Sequence, residues 1–218
     1  MSGAVLFDLD DTLYDAGQYY RGAFGEISSY ITGKHGFSGE DVFQMLVRLW
    51  REKTSMYPHL FNDLIAGLKL EPEELESLVR IFNGYNGKIE PYPGVVPTLK
   101  WLRGEKYKLG VITDGNLERQ TRKLEMLGLG HYFNTIVYTQ EIAPKPSPLP
   151  FTVALNRLGT RAEDTFYVAN NPLIDFQGAR EIGLHTVRIL GGEFAKLSSN
   201  EDVEFEIEEM NKLIEIIK

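Results

Sequence analysis

Two aspartates two residues apart, Asp8 and Asp10, follow a short apolar run, Ala4-Val5-Leu6-Phe7. In a low-dielectric cleft such carboxylates repel each other unless a cation or a shared proton intervenes. Magnesium suits that place, because it takes a few carboxylate oxygens together with water and phosphate oxygens. A carboxylate there can also act as a nucleophile and form an aspartyl-phosphate. Taken alone, the pair would more simply be a helix cap or a solvated acidic turn, so its partners elsewhere in the chain decide. Thr113-Asp114-Gly115-Asn116 offers a hydroxyl and free backbone N–H groups suited to a phosphoryl group, or a turn with a helix cap. Lys145 stands between Pro144 and Pro146, which stiffen its backbone, and a fixed ammonium can neutralise a nucleophile and phosphate oxygens. Asn170-Asn171-Pro172-Leu173-Ile174-Asp175 adds an amide and a carboxylate; Asp175 could orient a metal-bound water, contact Lys145, or complement a helix dipole.

The elements around these residues predict how they would meet. A four-residue apolar run suits a strand buried on both faces of a parallel sheet. From about Tyr19 to Asn86 apolar residues recur at helical spacing, as in Val42, Met45, Leu46, Leu49 and Trp50. That stretch predicts roughly four helices and no strand. Beyond Pro91-Tyr92-Pro93-Gly94 the pattern alternates: helix 95–103, strand 109–113, helix 117–127, strand 135–138, a helix ending near Gly159, strand 165–168, helix 173–182 and strand 186–189. A closing helix is expected over 207–217. Gly191-Gly192 reads as a flexible turn. Such alternation predicts an α/β fold, a doubly wound parallel sheet interrupted after its first strand by a helical insert. The expected division is a core of 1–15 with 89–218 and an insert of 16–88. In open α/β sheets, ligands bind beyond the carboxyl ends of the strands, where the residues named above fall.

Composition narrows the function. The chain has 218 residues, 43% of them hydrophobic, enough for a substantial core. A formal net charge of −8 disfavours nucleic acid and anionic membranes as partners. With no cysteine, disulfides, thiolate metal sites and cysteine nucleophiles are excluded, which fits a reducing compartment. No signal peptide or membrane span is expected, so the predicted location is cytoplasmic. His35, His59, His131 and His185 lack zinc-site spacing, and no G-x-x-x-x-G-K-[ST] loop occurs.

In combination, FDLDDTLY at 7–14, ITDGN at 112–116, KPSP at 145–148 and NNPLIDFQGAR at 170–180 resemble the haloacid dehalogenase superfamily. The likeness is to its phosphatase branch with a helical cap after the first strand. The resemblance implies hydrolysis of a small phosphorylated metabolite with Mg2+ as cofactor. It implies Asp8 as nucleophile and Asp10 as general acid, then base, a division that needs one ionised and one protonated carboxyl. Thr113 and the backbone near Asp114 and Gly115 would hold the phosphoryl group, and Lys145 would stabilise nucleophile and intermediate. Metal would sit among Asp8, the Asp10 carbonyl, Asn170 and Asp175.

One departure stands out, because family phosphatases usually carry an acid where this chain has Asn170. An amide oxygen can ligate magnesium without adding charge, so weaker metal affinity is expected. The alternatives are 2-haloacid dehalogenation, whose enzymes typically lack the second aspartate, and a weakly active or noncatalytic homologue. Tyr19, Tyr20, Arg21, Arg48, Arg51 and His59 of the insert are candidate substrate contacts, although each reads more simply as a surface or packing residue.

Overall fold

The computed structural model describes residues 3–218. The chain forms two compact units, one comprising the N-terminal segment up to Ala16 with Ile89–Lys218, the other Gly17–Lys88. In order, the elements are β1 (Ala4–Phe7), α1 (Ala16–His35), α2 (Gly39–Lys53), α3 (Leu60–Leu68), α4 (Glu74–Gly84) and α5 (Val95–Gly104). They continue with β2 (Lys108–Thr113), α6 (Leu117–Met126), β3 (Thr135–Tyr138), α7 (Leu149–Leu158) and β4 (Thr165–Ala169). The last are α8 (Gln177–Glu181), β5 (His185–Ile189), β6 (Phe205–Ile207) and α9 (Leu213–Ile217). No helix among the described residues is long and apolar enough to cross a membrane.

The helical unit is held by an aromatic cluster. Tyr19 is fully buried, and its hydroxyl donates to the Phe82 carbonyl at 2.5 Å. The Tyr20 ring stacks on Trp50 with centroids 4.8 Å apart. Both tyrosines are therefore packing groups, because their ring faces are spent inside the unit.

In the other unit, six strands form one parallel sheet in the order β3-β2-β1-β4-β5-β6. β1 lies between β2 and β4, with Phe7 opposite Val111 and Val168. All four β1 side chains are fully buried, as a strand covered on both faces requires. Asp8 continues the ladder by donating its amide to the Val168 carbonyl at 2.9 Å. It therefore emerges between the carboxyl ends of two neighbouring strands.

Two expectations are corrected. Of the expected 207–217 helix only the second half forms, as a short 3-10 turn over Met210–Lys212 and α9, while Ile207 ends β6. β6 pairs in parallel with β5, burying Ile207 while Phe205 and Glu206 stay exposed. Sheet pairing overrides the helical spacing there. The expected 173–182 helix starts only at Gln177. Asp175 accepts the Asn171 amide at 2.8 Å, folding residues 171–175 into a turn ahead of α8. Gly192 is a contact point: at φ +68, a Cβ there would lie 2.2 Å from Asp11 Cγ. Asp11 itself accepts the Ala16 and Glu193 amides at 2.9 Å each, joining the start of α1 to the loop after β5.

α8 also seats the loop that carries Lys145. A Cβ on Gly178 would fall 2.1 Å from the Pro146 carbonyl oxygen, a backbone atom with no freedom to swing aside. Gly178→Ala is therefore expected to cost about 2 kcal/mol and lower the thermal midpoint by roughly 5 °C. Gly104→Ala, where a new Cβ meets nothing within 4 Å, is the matched control and should change stability by under about 1 kcal/mol.

Candidate active site

The carboxyl ends of β1, β2 and β4 and the loop after β3 converge on one ammonium. Lys145 Nζ lies 2.8 Å from Asp8 Oδ1, 2.6 Å from Asp175 Oδ1 and 3.7 Å from Asp114 Oδ2. It also contacts the Tyr167 hydroxyl at 3.2 Å. Lys145, Asp8 and Asp175 are all buried. Burial pulls the lysine down, but Asp175 and then Asp8 outweigh it and hold the ammonium well above its ordinary range. Asp8 moves the other way: loss of water pushes it up to about 7 despite Lys145, with Asp175 adding to the rise. One cation thus serves several carboxylates, and Asp8 is left under-compensated.

Thr113 ends β2 and is buried, its hydroxyl oxygen accepting from Gln120 Nε2 at 2.8 Å. The hydroxyl proton remains available to a ligand oxygen. Gly115 follows at φ +110, a backbone that favours glycine. Asn116, not Asp114, caps α6, accepting the Arg119 amide at 3.0 Å. Asp114 accepts from the Thr139 hydroxyl and from the Lys145 amide, the latter at 3.3 Å, so it ties the loop after β3 to β2.

Asp10 faces a separate set of donors. Lys123 Nζ lies 2.7 Å from each of its carboxylate oxygens, Gln120 Nε2 donates at 2.9 Å, and the Tyr14 hydroxyl donates to Oδ1. Burial raises Asp10, but the Lys123 charge and these hydrogen bonds outweigh it and hold the carboxyl below its ordinary value. Neither Gln120 nor Lys123 was singled out in the sequence. The available signal was α6 itself, where both polar residues occupy buried positions beside Leu124. Arg188 was missed as well. Fully buried on β5, it donates to the Asn170 carbonyl at 3.1 Å and to three oxygens of residues 194–199.

The residues expected to hold a cation separate into engaged and open groups. Both Asp175 oxygens are taken, by Lys145 and by the Asn171 amide, and both Asp10 oxygens face α6. Among the described residues, no three acidic, histidine or cysteine side chains converge as a metal-binding group. Among the described residues, Asp8 Oδ2 keeps only a 3.3 Å contact from the Thr12 hydroxyl. Asn170, buried at the end of β4, donates weakly to the Gly191 carbonyl at 3.5 Å, while its amide oxygen accepts no hydrogen bond from the described residues. Asp8 and Asn170 therefore offer hard, open oxygens at the ends of adjacent strands, the first of them on a carboxylate short of positive charge. That donor chemistry fits magnesium.

The sequence model of the haloacid dehalogenase-like hydrolases matches residues 5–189. The chain belongs to this family. It is 32% identical over 223 residues to a glyceraldehyde 3-phosphate phosphatase of Methanocaldococcus jannaschii, covering 100% of this chain and 98% of that protein. It is 30% identical over 189 residues to a pyrophosphatase PpaX of Halalkalibacterium halodurans, covering 84% of this chain and 80% of the relative. The crystal structure of a phosphatase of the same family from Thermococcus onnurineus superposes with a TM-score of 0.71 at 26% identity, over 100% of this chain and 98% of that one. This haloacid dehalogenase-like hydrolase is accordingly an enzyme of the phosphatase branch.

The charge balance around Lys145 sets opposite signs for two substitutions. Lys145→Met leaves Asp8 and Asp175 facing each other without a counter-charge and is expected to cost about 3–5 kcal/mol. Asp8→Asn removes a charge that burial already disfavours, and should hold or raise the denaturant midpoint measured without metal. Equal losses in both variants would contradict this account of the cluster.

Proposed function

We propose that the protein is a magnesium-dependent phosphatase of small soluble phosphate monoesters, acting through an aspartyl-phosphate on Asp8. The observation that carries this reading is the placement of Asp8: a buried carboxylate at the end of the central strand, one oxygen fixed by Lys145 and the other nearly free. In the first half-reaction an Asp8 oxygen bonds to phosphorus as the ester oxygen leaves, taking a proton from Asp10. In the second, Asp10 removes a proton from water, whose oxygen attacks phosphorus and releases phosphate and the Asp8 carboxylate. The Thr113 hydroxyl, the backbone at Asp114 and Gly115, and the Lys145 ammonium bind the phosphoryl oxygens. When bound, magnesium would supply the positive charge that these oxygens and Asp8 need, held by Asp8, the Asp10 carbonyl and Asn170, with Asp175 adding charge nearby.

Glyceraldehyde 3-phosphate, the substrate in the names of several relatives, is the first to test. We assign the helical unit the role of a cap that selects the leaving group, on the ground that it interrupts the chain directly after the aspartate turn. A net charge of −8 and the absence of cysteine support a cytoplasmic enzyme of metabolites that binds neither nucleic acid nor membrane.

Phosphate release from a panel of sugar and triose phosphates is expected with magnesium and should vanish with EDTA. Asp8→Asn should lower turnover by about 10³-fold or more. Acid-quenched wild-type enzyme should carry an alkali-labile phosphoryl group that this variant lacks. Release at equal rates by wild type and Asp8→Asn would sink the reading. Asn170→Asp adds one charge to an all-oxygen donor set and is expected to tighten magnesium by roughly tenfold in a calorimetric titration; unchanged affinity would remove Asn170 from that set.

A further inference from the structure

Lys123 is a buried lysine whose ammonium has been brought to a carboxylate. It lies near the end of α6 with its side chain 3% exposed, against 32% for Asp10. An apolar side chain would fill this position on the buried face of α6 without the cost of drying an ammonium. The contact it makes is specific. Nζ stands 2.7 Å from both oxygens of Asp10, so it restrains the rotation of the carboxylate as well as its distance. One helical turn earlier, Gln120 reaches the same carboxylate and also donates to Thr113 at 2.8 Å. A single helix therefore grips Asp10 and the hydroxyl at the end of β2 together.

We propose that Lys123 is a positioning residue that aims the Asp10 carboxyl for proton transfer with the leaving-group oxygen. The inference rests on the acid–base role assigned to Asp10 above. The carboxyl sits on a turn outside the sheet, two residues past the last backbone bond of the β1 ladder at Asp8, and has its own side-chain rotations. Proton transfer needs hydrogen-bond distance and alignment in the transition state, and a displacement near 1 Å can cost about 10²-fold. A two-oxygen contact from a buried ammonium supplies that restraint.

The leaving group provides the test, because an alkoxide needs a proton in order to depart whereas p-nitrophenolate does not. Wild type, Lys123→Met, Asp10→Asn and the double variant are assayed on glycerol phosphate and on p-nitrophenyl phosphate. Lys123→Met is expected to lower kcat on the alkyl ester by about 100-fold, at least tenfold more than on the aryl ester, with KM changed by less than about threefold. The double variant should be no slower on the alkyl ester than Asp10→Asn alone. Equal losses on both esters in Lys123→Met, or losses that multiply in the double variant, overturn the proposal. If Asp10→Asn itself fails to discriminate between the esters, the acid–base reading falls and this inference with it. Discrimination by Asp10→Asn but not by Lys123→Met rejects the inference alone. Should circular dichroism show Lys123→Met unfolded, Tyr14→Phe, which removes one hydroxyl donor from Asp10, tests the same geometry. It is expected to show the same preferential loss on the alkyl ester at smaller amplitude, and equal losses on both esters overturn the proposal.

Discussion

A single buried ammonium, shared by Asp8, Asp175 and more distantly Asp114, is the interaction on which the site depends. Taking each of these charges out of water costs several kcal/mol, and that cost is offset only where opposite charges meet at hydrogen-bond distance. The fold meets that condition by topology. β1 lies at the middle of the sheet, so its carboxyl end has neighbours on both sides, and the loop after β3 delivers Lys145 from a third direction. Around this centre the supporting contacts point inward. Gly178 lets α8 close against Pro146, the Asn171 amide fixes the second oxygen of Asp175, and Tyr167 flanks the ammonium from β4.

The second aspartate is treated differently. Asp8 is short of positive charge and held in part by a loop, whereas Asp10 is surrounded by donors from α6 and from Tyr14. Two carboxylates two residues apart are thereby driven in opposite directions, Asp8 upward and Asp10 downward. Those directions run opposite to the proposed duties, which need Asp8 ionised and a proton on Asp10, so the positive charge a bound cation would bring to Asp8 is part of what those duties require. The arrangement needs no unusual backbone at either aspartate. The positive φ in this turn falls on the next residue, Asp11, whose carboxylate anchors α1 and the loop after β5.

Much of this was legible in the chain. The apolar run before Asp8, the β-α alternation after Gly94 and the helical spacing between Tyr19 and Asn86 each rest on local periodicity, and the structure follows them closely. Asp8, Lys145 and Asp175 were each visible because strand ends and proline-flanked loops mark themselves. What was not legible depends on contacts between distant segments. β6 exists because β5 presents an edge that Phe205–Ile207 can pair with, a fact absent from the local spacing. Lys123 and Gln120 look like ordinary surface residues until α6 is turned to place them on its buried face. Arg188 reads as a strand residue, yet its guanidinium binds the Asn170 carbonyl and the loop beyond β5.

The pairing of Asp8 with Lys145 spans 137 residues of sequence. During synthesis from the N-terminus, the first strand leaves the ribosome well before the lysine that neutralises it. Until then Asp8 lacks its counter-charge, and β1, with only four residues, has β2 available but not β4, its neighbour on the other side. A nascent chain stopped before residue 145 would carry the acidic turn as an ordinary hydrated loop. The ion pair that neutralises Asp8 can therefore form only after the loop beyond β3 has been made, long after the carboxylate it serves.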